Sequence, residues 1–214
     1  MRESSGRVGV ALIAEFFVII AGVLAALWAD AWWEGRQASA YEAQLRADMV
    51  EEFRANAAIL QTDLASNREV LDPLQRLIER DPAGPSVDPY LPFITIEATG
   101  YGFDPVMGVS RALVASGDLA GISDRPLRLL LAEWAAGVTE HNRRNQNHTD
   151  SYRHVTLPRL ATMAGDGTWT PAEHREARIL LGAQVELFVG VLETQERLLE
   201  LSDRILQYLD TGSI

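Results

Sequence analysis

The apolar run from Val8 to Ala29 constrains this chain more than any other stretch of its sequence. Glu15 is the only charged residue in the run. A helix needs about 20 consecutive apolar residues to cross a bilayer, and it satisfies its own backbone hydrogen bonds, as a spanning segment must. The sequence therefore predicts a transmembrane helix over residues 8–29, with the lipid bilayer as its first partner.

The charges that flank the run indicate its orientation. Arg2 and Arg7 precede it, whereas Asp30, Glu34 and Arg36 follow it. The positive-inside rule places the more basic flank in the cytoplasm. We therefore expect a single-pass protein of the inner (cytoplasmic) membrane, with its N terminus cytoplasmic and its C-terminal domain periplasmic.

Three tryptophans lie at the end of the run or just after it. Trp28, Trp32 and Trp33 predict an aromatic belt at the outer interface of the membrane. A cleaved signal peptide is the main alternative, because Ala29-Asp30-Ala31 has the small-x-small form of a cleavage site. The apolar run is longer than the roughly 7–15 residues of a signal peptide, which favours a retained anchor.

One side of the predicted span carries small side chains and the single acid. At about 100° per residue, this partner face comprises Ala11, Glu15, Gly22, Ala26 and Ala29. Small residues four apart let a second helix approach closely, either from another membrane protein or from a second copy of this chain. In the alternative interpretation, Glu15 is protonated in the lipid, where a charge costs roughly 2.5–3.5 kcal/mol, or reaches the inner headgroups.

Residues after the span predict long helices with apolar seams. The first seam has a spacing of three and four residues, and it is typical of a coiled coil or of an amphipathic helix packed on its own domain. Its members are Phe53, Leu60, Leu64, Asn67 and Leu71. A second seam, which we expect to face the first, contains Phe188, Leu192, Leu199 and Ile205.

Proline and glycine divide the rest of the chain. Asp72-Pro73 predicts a kink or a restart near residue 72. Residues 81–105 hold five prolines and three glycines, which predicts a loop. Further helices are expected over 106–116, over 127–154 and from 171 to 210, the last opened by a capping box of Thr170 and Glu173.

The predicted fold is all-α, with one N-terminal transmembrane helix that continues into an extramembrane antiparallel helical bundle. Its parts are a cytoplasmic N terminus (1–7), the span (8–29), a membrane-proximal helix (30–80), the loop (81–105) and the helical remainder (106–214).

Two segments resemble a family of bacterial single-span membrane proteins that is described only as a domain of unknown function. The first segment is AEFFVIIAGVLAALWADAWWEGRQ, where Glu15, Gly22, Trp33 and Glu34 match features of that family. The second is SRALVASGDLAGISDRPLRLLLAEW, which is similar to the family's turn between helices. The chain is richer in alanine and glycine than that family. The resemblance implies a membrane-anchored helical architecture and no particular activity.

The amino-acid composition argues against several kinds of binding and catalytic site. A net charge of −11 disfavours nucleic-acid binding. The absence of cysteine removes disulfides, thiolate nucleophiles and cysteine-ligated zinc. The spacing of His141, His148, His154 and His174 matches no metal motif, and we expect the first two to be solvated on a polar helix. The sequence predicts no cofactor, no metal and no catalytic site.

These features lead to two hypotheses about function. The first is a structural or accessory subunit that binds other proteins of a larger inner-membrane complex, such as an energy-transducing respiratory or photosynthetic one. The alternative is a membrane-tethered periplasmic binding module for a small molecule or a protein, because helical bundles build ligand sites between helices. An enzyme is not expected, since no nucleophile, base and orienting group occur in a recognisable pattern.

Overall fold

Helices form nearly all of the regular structure in the part of the chain that is described. A computed structural model describes residues 4–79, 86, 90–91, 102–115, 124–165 and 167–211, and it describes their side chains except at 4–19, 21, 38, 114 and 115. The helices are α1 (Ser4–Glu79), α2 (Val109–Ala115), α3 (Arg125–Ser151), α4 (Leu157–Met163) and α5 (Pro171–Thr211). Ser86 and Thr168 form an isolated bridge. The all-α prediction is confirmed for the described residues.

The chain divides into two units, Met1–Asp48 and Met49–Ile214. We call the described side chains of residues 20–48 the N-terminal segment, and the described residues from Met49 onward the bundle. Helix α1 contributes to both units, whereas α2 to α5 belong to the bundle. Each unit is described by itself.

In the bundle, α5 runs antiparallel to α1. The hydroxyl of Ser202 donates to the carbonyl of Phe53 at 3.0 Å near one end of the contact. At the other end, Nε of Arg178 donates to the carbonyl of Ile78 at 2.8 Å. Residue numbers therefore fall along α5 as they rise along α1.

Helix α3 also packs antiparallel to α5. Nδ1 of His141 lies 2.9 Å from the hydroxyl of Thr194, and further along α3 the amide of Gln184 donates to the hydroxyl of Ser151 at 2.8 Å. Both antiparallel pairs share α5, so that α1, α3 and α5 enclose the core. Its largest fully buried side chains include Phe53, Trp134, Tyr152, Trp169 and Phe188.

Side chains cap the two long helices of the bundle. The N–H of Leu127 donates to Oδ1 of Asp124 at 3.2 Å, which satisfies a donor in the first turn of α3. At the start of α5, the N–H of Thr170 donates to the carboxylate of Glu173 at 2.7 Å, and the N–H of Glu173 donates back to the Thr170 hydroxyl at 3.3 Å. The predicted capping box is confirmed.

Three boundaries differ from the sequence prediction. Helix α1 includes Pro73 and continues to Glu79, so no separate helix starts at residue 72. Helix α2 begins at Val109 rather than at Val106, because side chains of α1 hold the backbone that precedes it. The predicted 81–105 loop is not one of the three, because much of it lies outside the described residues.

The third difference is a π-helical turn, Tyr152–Thr156, between α3 and α4. The N–H of Leu157 reaches back five residues to the carbonyl of Tyr152. Pro158 follows and has no N–H to donate, so the regular α-helical pattern cannot pass through this point unchanged. The single helix predicted to His154 therefore ends at Ser151.

The predicted membrane span receives no support from the described residues. A search of these residues finds no helix that is both long enough and apolar enough to cross a membrane. The backbone of residues 8–29 is helical within α1, but the side chains of residues 8–19, including Ala11 and Glu15, lie outside the description. The span remains a prediction.

Candidate interaction surfaces

The N-terminal segment exposes large apolar side chains. Trp28 is 71% exposed, and Leu24 and Leu27 are each 60% exposed. Trp32 and Trp33 of the predicted belt are also exposed, and the guanidinium of Arg36 lies 5.4 Å from the Trp32 ring. Exposed apolar side chains that form a contiguous patch mark a surface that contacts a membrane or another protein.

The predicted partner face lies partly in the same segment. Gly22, Ala26 and Ala29 are exposed, and a Cβ built on Gly22 would meet no atom within 4 Å. Ala11 and Glu15 fall outside the described side chains. The described part of this face therefore has room for another helix to approach.

The two predicted seams lie in the core of the bundle. All nine of their residues are buried except Leu199, which is partly buried. Nδ2 of Asn67 donates to Oε1 of Gln195 at 3.0 Å, and both side chains are fully buried. The seam residues thus pack within this chain. Of the two predicted alternatives, this is the amphipathic helix packed on its own domain.

A polar cradle on α1 holds the backbone before α2. The carboxylate of Glu52 accepts the N–H groups of Gly108 at 2.9 Å and Val109 at 2.6 Å, together with the N–H and hydroxyl of Ser110. Asn56 bonds both the N–H and the carbonyl of Val106, at 2.8 and 2.9 Å. Both side chains are buried. The cradle fixes this stretch of the chain through its main chain.

Sequence reasoning missed Glu52 and Asn56. They are four residues apart on one side of α1, immediately before the seam residue Phe53 and the buried Ala57. A polar pair at this spacing is typical of a solvated helix face. Their partners are backbone groups of the segment before α2. The sequence of that segment has no periodic pattern that predicts where it lies.

His141 of α3 also binds the backbone of the segment that precedes α2. Its Nε2 accepts the N–H of Phe103 at 3.2 Å. The hydroxyl of Thr194 donates to the carbonyl of Val191 at 2.6 Å, so it must accept a proton from Nδ1 of His141. These bonds assign the neutral imidazole with its proton on Nδ1. Both ring nitrogens are occupied by the chain itself.

The expectation that His141 and His148 are solvated was wrong. Both are buried, and burial lowers the pKa of each to about 4. Their spacing of seven residues places them on one face of α3, and this face is covered by α5. The ring of His148 stacks on Phe188 with centroids 4.9 Å apart.

The remaining titratable groups of this region differ in their surroundings. Hydrogen bonds from Arg143 and then Arg144 lower the pKa of Glu140 to about 2. His174 packs against the rings of Tyr90 and Trp169, and His154 is exposed. Among the described residues, no three His, Asp or Glu side chains are placed to hold a metal ion together.

Comparison with known proteins gives no further guide. No protein-family model, no curated protein and no solved structure matches this chain. The resemblance drawn from the two sequence segments therefore remains an expectation.

Proposed function

We propose that this chain is a membrane-anchored accessory protein that binds other proteins of a larger bacterial inner-membrane complex. The observation that carries the proposal is the exposure of Leu24, Leu27, Trp28, Trp32 and Trp33. At about 25 cal/mol per Å² of apolar surface, leaving side chains of this size in water is costly. A bilayer around residues 8–29 removes that cost and places the tryptophans at its interface.

The bundle supports a binding role rather than a catalytic one. Two of its buried ionisable side chains are engaged by the chain's own backbone, Glu52 by residues 108–110 and His141 by Phe103. A catalytic base needs a free nitrogen or oxygen within reach of the substrate. These side chains position the chain and leave its outer surface for partners.

The flanking charges support a periplasmic location for the bundle, because Arg2 and Arg7 favour a cytoplasmic N terminus. The face with Gly22, Ala26 and Ala29 is suited to a partner helix inside the membrane. Respiratory and photosynthetic assemblies are examples of host complexes. The alternative, a tethered periplasmic binding module, stays a prediction.

Extraction of native membranes with a mild detergent or an amphipathic polymer tests the proposal. The chain carries a C-terminal tag and is followed by native gel electrophoresis and cross-linking. We expect it to co-migrate with a larger membrane complex and to cross-link to defined subunits. Migration solely as a free monomer after both types of extraction would contradict the accessory role.

A further inference from the structure

A groove opens between α1 and α5 on the surface of the bundle. Its volume is about 320 Å³, close to the lower limit for ligand sites in proteins. The groove lies beside the first seam but faces outward. Its lining residues are Gln61, Leu64, Ala65, Arg68, Glu196, Leu199 and Glu200.

The floor of the groove is apolar and narrow. Leu64 is buried and Leu199 is partly buried, so both are held in place by the core beneath them. Ala65 is exposed and its short side chain leaves the space above it open. This floor has room for about one inserted apolar side chain, given the volume of the groove.

The two ends of the groove differ in charge. At one end, Nη2 of Arg68 donates to Oε1 of Glu196 at 2.6 Å and joins α1 to α5, so these charges neutralise each other. Glu200 lies one turn further along α5, is exposed, and has no ion pair within the described structure. Asp203 follows it by three residues, also exposed and without an ion pair there. Arg204 lies beside Asp203, but its guanidinium pairs with Glu133 of α3 at 3.5 Å. Glu200 is therefore the acidic residue of the groove lining whose charge is not balanced by an ion pair in the described structure.

We propose that this groove binds a helix of another protein that inserts one apolar side chain between Leu64 and Leu199 and brings a lysine or arginine to Glu200. A helix fits because it presents an apolar and a basic residue one turn apart, and because grooves between helices accept helical ridges. The partner is basic because the groove end is acidic and the whole chain carries −11.

The inference rests on the proposed function, since it assigns the surface through which the bundle meets its partner. The small apolar floor and the charged rim suit a contact built on one anchoring side chain rather than on a broad apolar surface. In such contacts a central anchor carries most of the binding energy, and rim charges set specificity and association rate.

The test uses the full-length protein in lipid nanodiscs and a fluorescent alanine-based helical peptide as the probe. The peptide carries one leucine with a lysine four residues away, and a second peptide has glutamate in place of the lysine. Ala65→Arg fills the groove and Glu200→Lys reverses its free charge. Ala136→Arg and Glu186→Lys are the matched controls, since both positions are exposed and away from the groove lining.

We expect Ala65→Arg and Glu200→Lys each to weaken binding of the lysine peptide about tenfold or more, and the controls to change it by less than about twofold. Glu200→Lys should in turn bind the glutamate peptide more tightly than the unchanged protein does. Circular dichroism melting curves check that all variants fold. Absent binding of the lysine peptide, or equal binding by all variants, would overturn the proposal.

A pull-down separates this inference from the proposed function. If Ala65→Arg still recovers the host complex in full, the groove is not the contact, although the accessory role stands. If the unchanged protein recovers no complex, the accessory role fails, whatever the peptide does.

Discussion

The N-terminal segment and the bundle use the same kinds of side chain in opposite ways. In the bundle, Phe53 and Leu60 of α1 are fully buried against other helices of this chain. In the N-terminal segment, Leu24 and Leu27 of the same helix are each 60% exposed. Burial within the chain stabilises the first region. Large apolar side chains of the second are exposed in the described chain.

Polar groups show the same contrast. Two buried amides of the bundle have partners within the chain: Asn67 bonds Gln195 and Asn56 bonds Val106. In the N-terminal segment the polar side chains, such as Asp30 and Glu34, are exposed beside tryptophans. Exposed tryptophans beside charged side chains are the pattern expected at an interface between lipid and water, as we propose for this segment.

Replacing Leu24 and Leu27 together with lysine should have the largest effect. A lysine costs about 2.5–3.5 kcal/mol at the centre of a span and less near its end. With about half of that cost at each of the two positions, membrane association should fall by about a hundredfold. The thermal unfolding of the bundle should not change. Flotation of proteoliposomes on a density gradient measures the membrane-bound fraction.

Leu129→Lys is the matched control for this change. Leu129 lies on α3 and is 62% exposed, close to the exposure of Leu24. It should leave membrane association intact. Equal loss of association in the control and in the double variant would mean that exposure alone, rather than membrane insertion, explains the result.

Phe53→Ala should destabilise the bundle by about 3–5 kcal/mol, because it opens a cavity beside Trp134, whose ring centroid lies 5.0 Å from that of Phe53. Denaturant unfolding followed by tryptophan fluorescence measures this loss. Leu24→Ala, made in the N-terminal segment, should leave the midpoint unchanged. A midpoint for Phe53→Ala within error of the unchanged protein would show that the seam is not the core.

Acidification should destabilise the bundle through its buried histidines. An unfolded histidine has a pKa of about 6.5, whereas folding lowers the pKa of His141 and His148 to about 4. The unfolded state therefore binds more protons as the pH falls below about 6.5, and the free energy of unfolding falls until the pH reaches about 4. Each histidine contributes a loss of about 2–3 kcal/mol.

His148→Phe tests the sign of this effect, because phenylalanine keeps the stacking on Phe188 and cannot titrate. We expect the variant to lose about half of the pH-dependent destabilisation between pH 6.5 and 4. Denaturant midpoints over this range provide the measurement. An unchanged pH dependence would show that His148 is not buried in its neutral form.

Asn67→Leu should cost about 1–3 kcal/mol, because it removes the donor of a buried hydrogen bond to Oε1 of Gln195. The double change Asn67→Leu with Gln195→Leu should recover most of this loss, since both polar groups are then removed together. Equilibrium unfolding of the single and double variants gives the coupling. Additive losses in the double variant would argue against a direct Asn67–Gln195 contact.

Local signals in the sequence predicted much of the bundle. The spacing of Leu60, Leu64 and Leu71 gave the buried face of α1, and the Thr170–Glu173 pair gave the start of α5. Such signals operate within a few turns of one helix, so a single sequence is enough to detect them.

The features that sequence reasoning missed depend on contacts between distant parts of the chain. Glu52 has its role because residues 108–110 lie against it, 56 to 58 positions away. His148 looked solvated because its sequence neighbours are polar, yet α5 covers its face of α3. The sequence around each residue carries no information about a partner that lies far away in the chain.

Spin-label accessibility at residue 24 tests the central claim most directly, since it reports what surrounds the N-terminal segment. The chain has no cysteine, so Leu24→Cys and Leu129→Cys each give a single labelling site. In proteoliposomes, we expect a label at 24 to be relaxed more by molecular oxygen, which is enriched in lipid, than by a polar nickel complex. A label at 129 should show the reverse order. Strong relaxation of the label at 24 by the nickel complex, equal to that at 129, would contradict the account.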